Sequence, residues 1–262
     1  MNAEQIDKAR KEISFLCFKS IRKSAEENLA RFLRGEITRE RWKIEHGAFR
    51  SMDDELLSRE IPAQYSRATM DDARDKEAFK EAIDYGADAT DENPAKKNGV
   101  LLFGPSGSGK TCAAYARLIE WSGRSITHIS AVELSELIRD KSLHDARGLA
   151  RILRYLKGTP SDEDEDIEKY DDSGRWFGSD GLLIDDIHVP KLTPAYAQAL
   201  YSIIESRTSR SDHLIVTCQL TGNRLLDKLA ADNPGLRDTA IAIIRRLVDN
   251  CHPIEFHYDN GM

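Results

Sequence analysis

Apolar positions recur at helical spacing through much of this chain, and five short, nearly continuous apolar runs interrupt them. From Ala3 to about Arg34, residues such as Ile6, Ile13, Leu16, Ile21, Leu29 and Leu33 fall among basic residues at intervals that predict a helix, ended by Gly35. A second helix is predicted from Thr38 to about Arg59, and a third from about Ala73 to Tyr85. The runs "GVLLF", "SITHIS", "GLLIDDI", "HLIVT" and "PIEFH" read as strands. Between them lie helical patterns: one to about Trp121, one opened by Ser130 with Glu133 as a capping box, and one over about His144 to Lys157. Further patterns run from Thr193-Pro194 to about Thr208, from Thr221, and from about Gly235. Strands alternating with helices predict an α/β fold, a doubly wound parallel sheet of five strands behind an N-terminal helical module.

Charge changes this picture locally. The net charge of -7 gives no sign of nucleic-acid binding for the molecule as a whole. Residues 1–50, however, hold twelve Lys or Arg against eight Asp or Glu, while "SDEDEDIEKYDD", Ser161 to Asp172, is heavily acidic. Charges are spread through the first twenty residues and no apolar run reaches membrane length, so the expectation is a cytoplasmic protein with no membrane partner. Cys17, Cys112, Cys218 and Cys251 are widely separated, and buried or half-buried thiols are expected rather than a zinc site or a disulfide framework.

The chemistry concentrates in "GVLLFGPSGSGKTCAAYARL". Gly104, Gly109, Lys110 and Thr111 occupy the fixed places of a phosphate-binding loop, with a strand before and a helix after, the context this motif needs. Gly104, Pro105, Ser106, Gly107, Ser108, Gly109, Lys110, Thr111 and Cys112 are the candidate nucleotide-binding residues. Backbone N–H groups and the helix N-terminus would face the phosphates, Lys110 would reach the β- and γ-phosphates, and the Thr111 hydroxyl would ligate Mg²⁺. In "LLIDDI" four apolar residues put Asp185 at the carboxyl edge of a buried strand, where it would hold Mg²⁺. Asp186 follows where many assembly ATPases carry Glu to orient the attacking water. Its shorter side chain leads to the expectation of slow basal hydrolysis. The fourth strand ends in "TCQ", which makes Gln219 the first candidate to touch the γ-phosphate and Thr217 the second, although a strand-end residue bonded to its own turn is an equal reading. Arg245 and Arg246 share a helix with Ile243, Ile244, Leu247 and Val248; a solvated face is the common fate of such a pair, and an arginine finger is the alternative.

The stretches "IPAQYSRATMDD", "NGVLLFGPSGSGKTCAAYA", "LLIDDI", "LTPAYAQALYSIIESR", "LIVTCQL" and "IIRRL" resemble, in order and spacing, the AAA+ ATPases that load replicative helicases (the DnaC type) and the related IstB-type transposition ATPases. The resemblance covers roughly Ile61 to His257. It implies a five-stranded parallel AAA+ core without a C-terminal lid, an ATPase using ATP and Mg²⁺, and self-assembly into a ring or spiral on single-stranded DNA. The implied partner is a replicative helicase, or a transposase in the alternative reading. The resemblance divides the chain into residues 1–60 as a partner-docking module, 61–98 as linker and lead-in helix, and 99–262 as the ATPase core with an acidic insertion at 158–180. Lys110, Thr111, Asp185 and the catalytic Asp186 carry over directly, and Arg246 matches the finger position, with Arg245 as substitute; catalytic Gln219 remains a candidate from the strand end alone. Three features depart from the family pattern: Cys218-Gln219 where Ser-Asn is common, His188 where Gly is usual, and the length of the acidic insertion. Outside this family, a phosphate-loop kinase shares the loop but would need a water-excluding lid, and a nucleotide-gated adaptor would bind ATP without turnover.

Overall fold

A computed structural model describes residues 3–14, 19–48, 61–62, 64–65, 73–86, 97, 99–120, 126–158, 179, 181–209 and 213–257. Its centre is a five-stranded sheet of β1 (Gly99–Phe103), β2 (Ile126–Ser130), β3 (Gly181–Asp185), β4 (His213–Cys218) and β5 (Cys251–Glu255), in the order β2-β3-β4-β1-β5. Every pairing is parallel. The reason lies in the alternation within the strands. Val100, Leu102, Leu183 and Ile215 are buried in one apolar cluster, with Ala78, Phe79 and Ala82 of α4 (Lys76–Asp84) and Ala113 and Leu118 of α5 (Lys110–Glu120). Leu101, Leu182, Ile184, Leu214 and Val216 point the other way. They pack with α6 (Ala131–His144), α8 (Pro194–Ser209) and α10 (Arg237–Asn250), through Leu134, Ile138, Leu200, Ile203, Ile243 and Leu247. Both faces are apolar, so both must be covered by helices. α7 (Ala146–Leu156) and α9 (Gly222–Ala230) complete the layers.

Among the described residues, α1 (Ala3–Ser14), α2 (Lys19–Leu33) and α3 (residues 39–48) come ahead of α4. α2 ends at Gly35, whose φ of 77° continues into bonds from Gly35 N–H to Phe32 O and Glu36 N–H to Arg31 O, a Schellman ending. Thr38 caps α3 by accepting from Arg41 N–H at 3.3 Å. Ala9, Ile13, Ala25, Leu29, Ile37 and Trp42 belong to the same buried cluster as Phe79 and Val100. The expected second half of the Thr38–Arg59 helix and the acidic residues 161–172 lie outside the described residues.

Element ends differ from the sequence expectation where local chemistry intervenes. α4 begins at Lys76 rather than Ala73, because the Asp75 carboxylate accepts from Ala78 N–H and sets the cap there. A short 3₁₀ turn, Pro234–Leu236, precedes α10. β5 begins at Cys251, two residues before the expected Pro253, because Cys251 and His252 pair with Gly99 and Val100 in the ladder.

Among the described residues two arginines, Arg117 and Arg207, are fully buried, and each joins elements through backbone carbonyls. Arg117 of α5 donates to Ala82 O and, at 2.9 Å, to Tyr85 O, and so closes the carboxyl end of α4. Burial pulls its guanidinium down to about 9. Arg207 of α8 donates to Leu156 O at 2.7 Å, Ser179 O at 2.7 Å and His213 O at 2.9 Å. Leu156 and Ser179 flank the acidic stretch, so one guanidinium gathers the chain on both sides of it at the amino-terminal edge of β3 and β4. Arg207→Ala removes one buried donor from three backbone carbonyls and is expected to cost on the order of 3–5 kcal/mol, read as a lower urea midpoint. A loss below about 1 kcal/mol would show that water replaces the guanidinium.

Candidate functional site

The phosphate loop leaves the carboxyl end of β1 and turns back into α5. Its first glycine is required by contact: a Cβ on Gly104, at φ 138°, would stand 2.1 Å from Phe256 O. The chain after β5 crosses the loop there, with Phe256 N–H donating to Phe103 O at 2.7 Å. Gly107, at φ 75°, supplies the left-handed turn at the tip. Lys110 opens α5 and is buried, and its ammonium donates to Pro105 O at 2.6 Å and lies 3.4 Å from Ser108 Oγ. Burial pushes its pKa down, opposed by the carboxylates of Asp186 and Asp185.

Strand order brings the rest together. β4 lies between β1 and β3, so Thr217, Cys218 and Gln219 end between the loop and the two aspartates. Thr111 Oγ1 donates to Asp185 Oδ1 at 3.1 Å, and Thr217 Oγ1 donates to the same oxygen at 2.5 Å. Thr217 Oγ1 in turn accepts from Asp186 N–H at 2.8 Å, and Thr217 O accepts from Ile187 N–H. Asp186 is in the left-handed region at φ 55°, a conformation that Asp adopts more readily than most residues. Burial holds the Asp185 carboxyl above its usual range, with Asp186 adding to the rise and the two threonine hydroxyls and Lys110 opposing it.

A cleft of about 360 Å³ opens over this arrangement, lined by Ser106, Gly107, Gly109, Lys110, Thr111, Cys112, Asp186 and Gln219, and by Tyr65 and Arg74. Of the predicted residues, Asp185 underlies the cleft through Thr111. Thr217 is buried and engaged with both aspartates, while Gln219 lines the cleft. Gln219 N–H faces His188 Nδ1 at 3.5 Å, and the same nitrogen lies 3.9 Å from Asp186 Oδ1, so His188 stands between the two. Burial lowers the His188 pKa, with Asp186 pulling the other way. Arg246 lies outside this cleft, in a groove of about 520 Å³ along α8 and α10. Its guanidinium pairs with Glu205 and shares the groove with Tyr201 of its own chain. Arg245 is exposed, 4.0 Å from Asp249, and Arg237 lies 3.3 Å from Asp227. Cys218 and Cys251 are buried, and burial raises their thiols to about 11 and about 12.

Sequence reasoning missed Tyr65 and Arg74. Both come from the segment that precedes the core, and only packing shows that Tyr65 stacks on Tyr115 of α5 with ring centroids 4.5 Å apart. An aromatic and a basic residue within "IPAQYSRATMDDAR" were the available signal. The donor set fits Mg²⁺: a hydroxyl and a carboxylate, both hard oxygens, converge beside a phosphate loop. No cluster of three His, Cys, Asp or Glu suited to a metal occurs among the described residues, and the oxygen pair suits an ion that brings phosphate oxygens with it.

No protein-family model matches the sequence, and no curated protein does. Solved structures do share the fold. DnaI superposes with a TM-score of 0.55 at 21% identity, covering 75% of this chain and 95% of that one. Replication initiator DnaA bound to AMPPCP and single-stranded DNA gives 0.51 at 15% identity, over 76% of this chain and 52% of that chain. The DnaC helicase loader is also similar, with a TM-score of 0.45 at 13% identity. The likeness to DnaI and to DnaA is one of fold. Among the described residues no helix is long and apolar enough to cross a membrane.

The burial of Asp185 has a measurable sign. With its folded pKa above the unfolded one, stability falls as pH rises through the ordinary carboxyl range to the folded value, and the loss persists at neutral pH. Asp185→Asn is expected to raise the thermal midpoint of the nucleotide-free protein by several degrees near neutral pH, with a smaller gain in mild acid. The same variant should lose Mg²⁺-dependent nucleotide binding. A lower midpoint near neutral pH would show that the hydrogen bonds from Thr111 and Thr217 outweigh burial.

Proposed function

We propose that this chain is an ATPase that assembles with its own copies on single-stranded DNA and delivers a replicative helicase to the strand. One observation supports this reading above the others: Lys110, Thr111, Asp186 and Gln219 share one cleft with Asp185 beneath it, at the carboxyl ends of three adjacent strands in a DnaI-like fold. In this reading the loop from Gly104 to Cys112 wraps the phosphates, and the Lys110 ammonium exchanges Pro105 O for the β- and γ-phosphate oxygens. Thr111 and Asp185 hold Mg²⁺, which supplies charge neutralisation on the phosphate oxygens when bound. Asp186, half-buried at the cleft, accepts a hydrogen bond from the attacking water and orients it. Gln219 contacts the γ-phosphate side of the same water. Residues 1–60 are the docking module for the helicase. The DNA-facing surface includes α7, which carries Arg147, Arg151 and Arg154 exposed and has no carboxylate in its sequence.

Turnover depends on a neighbouring copy. Arg246 contributes nothing to its own cleft, and acts as a finger only by leaving Glu205 for the γ-phosphate of the adjacent subunit. ATP turnover is therefore expected to rise with protein concentration and with single-stranded DNA. Arg246→Ala should bind ATP yet fall to background turnover, since a finger contributes on the order of 10³–10⁵ in rate. Lys110→Ala should bind no ATP and be equally inactive. Mixing the two restores part of the phosphate release, because some interfaces pair an intact loop with an intact arginine. A mixture that co-assembles on DNA and stays inactive rules out the trans role, and turnover stimulated by a small-molecule acceptor rather than DNA points to a kinase instead.

A further inference from the structure

Arg74 has no part in the site as derived from the sequence, yet it lines the nucleotide cleft with Ser106, Gly107, Lys110 and Asp186. Its place is fixed by the next residue. Asp75 Oδ1 accepts from Ala78 N–H at 3.0 Å, and Asp75 Oδ2 accepts from His257 N–H at 2.8 Å. His257 follows Phe256, whose N–H is bonded to Phe103 O and whose carbonyl lies against Gly104. The backbone at residues 74 and 75 is thus tied, through one carboxylate and one strand end, to the start of the phosphate loop. At the loop's tip, Arg74 Nη1 stands 3.5 Å from the point a Cβ on Gly107 would occupy, which puts a guanidinium directly beside the loop. Lys110 approaches the same cleft from its buried wall, whereas Arg74 is exposed at the mouth.

We propose that Arg74 is a nucleotide-binding residue whose guanidinium donates to phosphate oxygens of the nucleoside triphosphate held by the loop. This rests on the reading of the cleft as an ATP site. A planar fork of N–H donors matches phosphate oxygens in pairs, and a cation at the mouth faces the charge that Lys110 alone does not enclose. The consequence is that Tyr65 and Arg74, both ahead of the core in sequence, form one wall of the nucleotide site. Nucleotide occupancy then bears directly on the positions of Tyr65 and Arg74.

The test is the affinity of Mg²⁺–ATP for the full chain and its Arg74→Ala, Arg74→Lys and Lys110→Ala variants, measured by calorimetry, with the thermal midpoint of each nucleotide-free protein. Arg74→Ala is expected to bind about tenfold or more weakly with an unchanged midpoint, and Arg74→Lys to recover part of the loss. Wild-type protein that binds ATP and loses it in Lys110→Ala, while Arg74→Ala binds within about twofold of wild type, overturns the role of Arg74 and leaves the cleft reading intact. A loss in Arg74→Ala accompanied by a lower midpoint and no recovery with Lys also overturns it, since a structural residue behaves that way. Wild-type protein without ATP affinity overturns both.

Discussion

A sheet buried on both faces leaves its polar chemistry nowhere to go but the strand ends, and this constraint organises the molecule. Leu182, Leu183 and Ile184 are all fully buried, and Asp185 is the first residue of that strand with room for a charge. The same holds at the phosphate loop, which begins where the apolar run of β1 stops. At the opposite edge the polar requirement is met differently: Arg207 collects the carbonyls of Leu156, Ser179 and His213. The carboxyl edge therefore carries the candidate chemistry, and the amino edge carries the neck of the acidic stretch.

Within the site, the same burial that shapes the cleft works against the charges in it. Lys110 is pushed toward its neutral form and Asp185 toward its protonated form by loss of water. Each is partly relieved by the other and by hydroxyls, through the chain from Thr111 to Asp185 to Thr217 to the backbone of Asp186. These groups are poised for a ligand that brings both phosphate charge and a cation, since such a ligand compensates both at once. Thr217 has a structural part in this: one hydroxyl orients the Asp185 carboxylate and holds the turn in which Asp186 adopts its left-handed backbone.

The cleft also draws on chain far from the loop in sequence. Tyr65 stacks on Tyr115, Arg74 lies beside Gly107, and Asp75 bonds His257, so residues from before and after the core meet at the candidate site. Arg246 lies in a separate groove along α8 and α10, paired with Glu205. The phosphate loop in its cleft and an arginine in a separate groove are the two parts that a head-to-tail assembly of copies, as proposed, would join.

The sequence by itself determined the elements and the phosphate loop, because both are local. Alternating apolar positions specify which strands have two buried faces, the capping box at Ser130 and Glu133 marks α6, and G-x-x-x-x-G-K-T needs only its own eight residues to form a phosphate cradle. Asp185 and Asp186 were legible for the same reason, at the end of an apolar strand. What only the tertiary structure decided is strand order. The placement of β4 between β1 and β3 takes Thr217 into the core as a support and leaves Gln219 at the cleft, a choice that the string "TCQ" does not contain. The same is true of Tyr65, Arg74 and His188, whose relation to the loop and to Asp186 arises from packing between segments that are distant in the chain. Local patterns encode what neighbours in sequence do to each other; the identity of neighbours in space is settled by how two apolar faces of one sheet are covered.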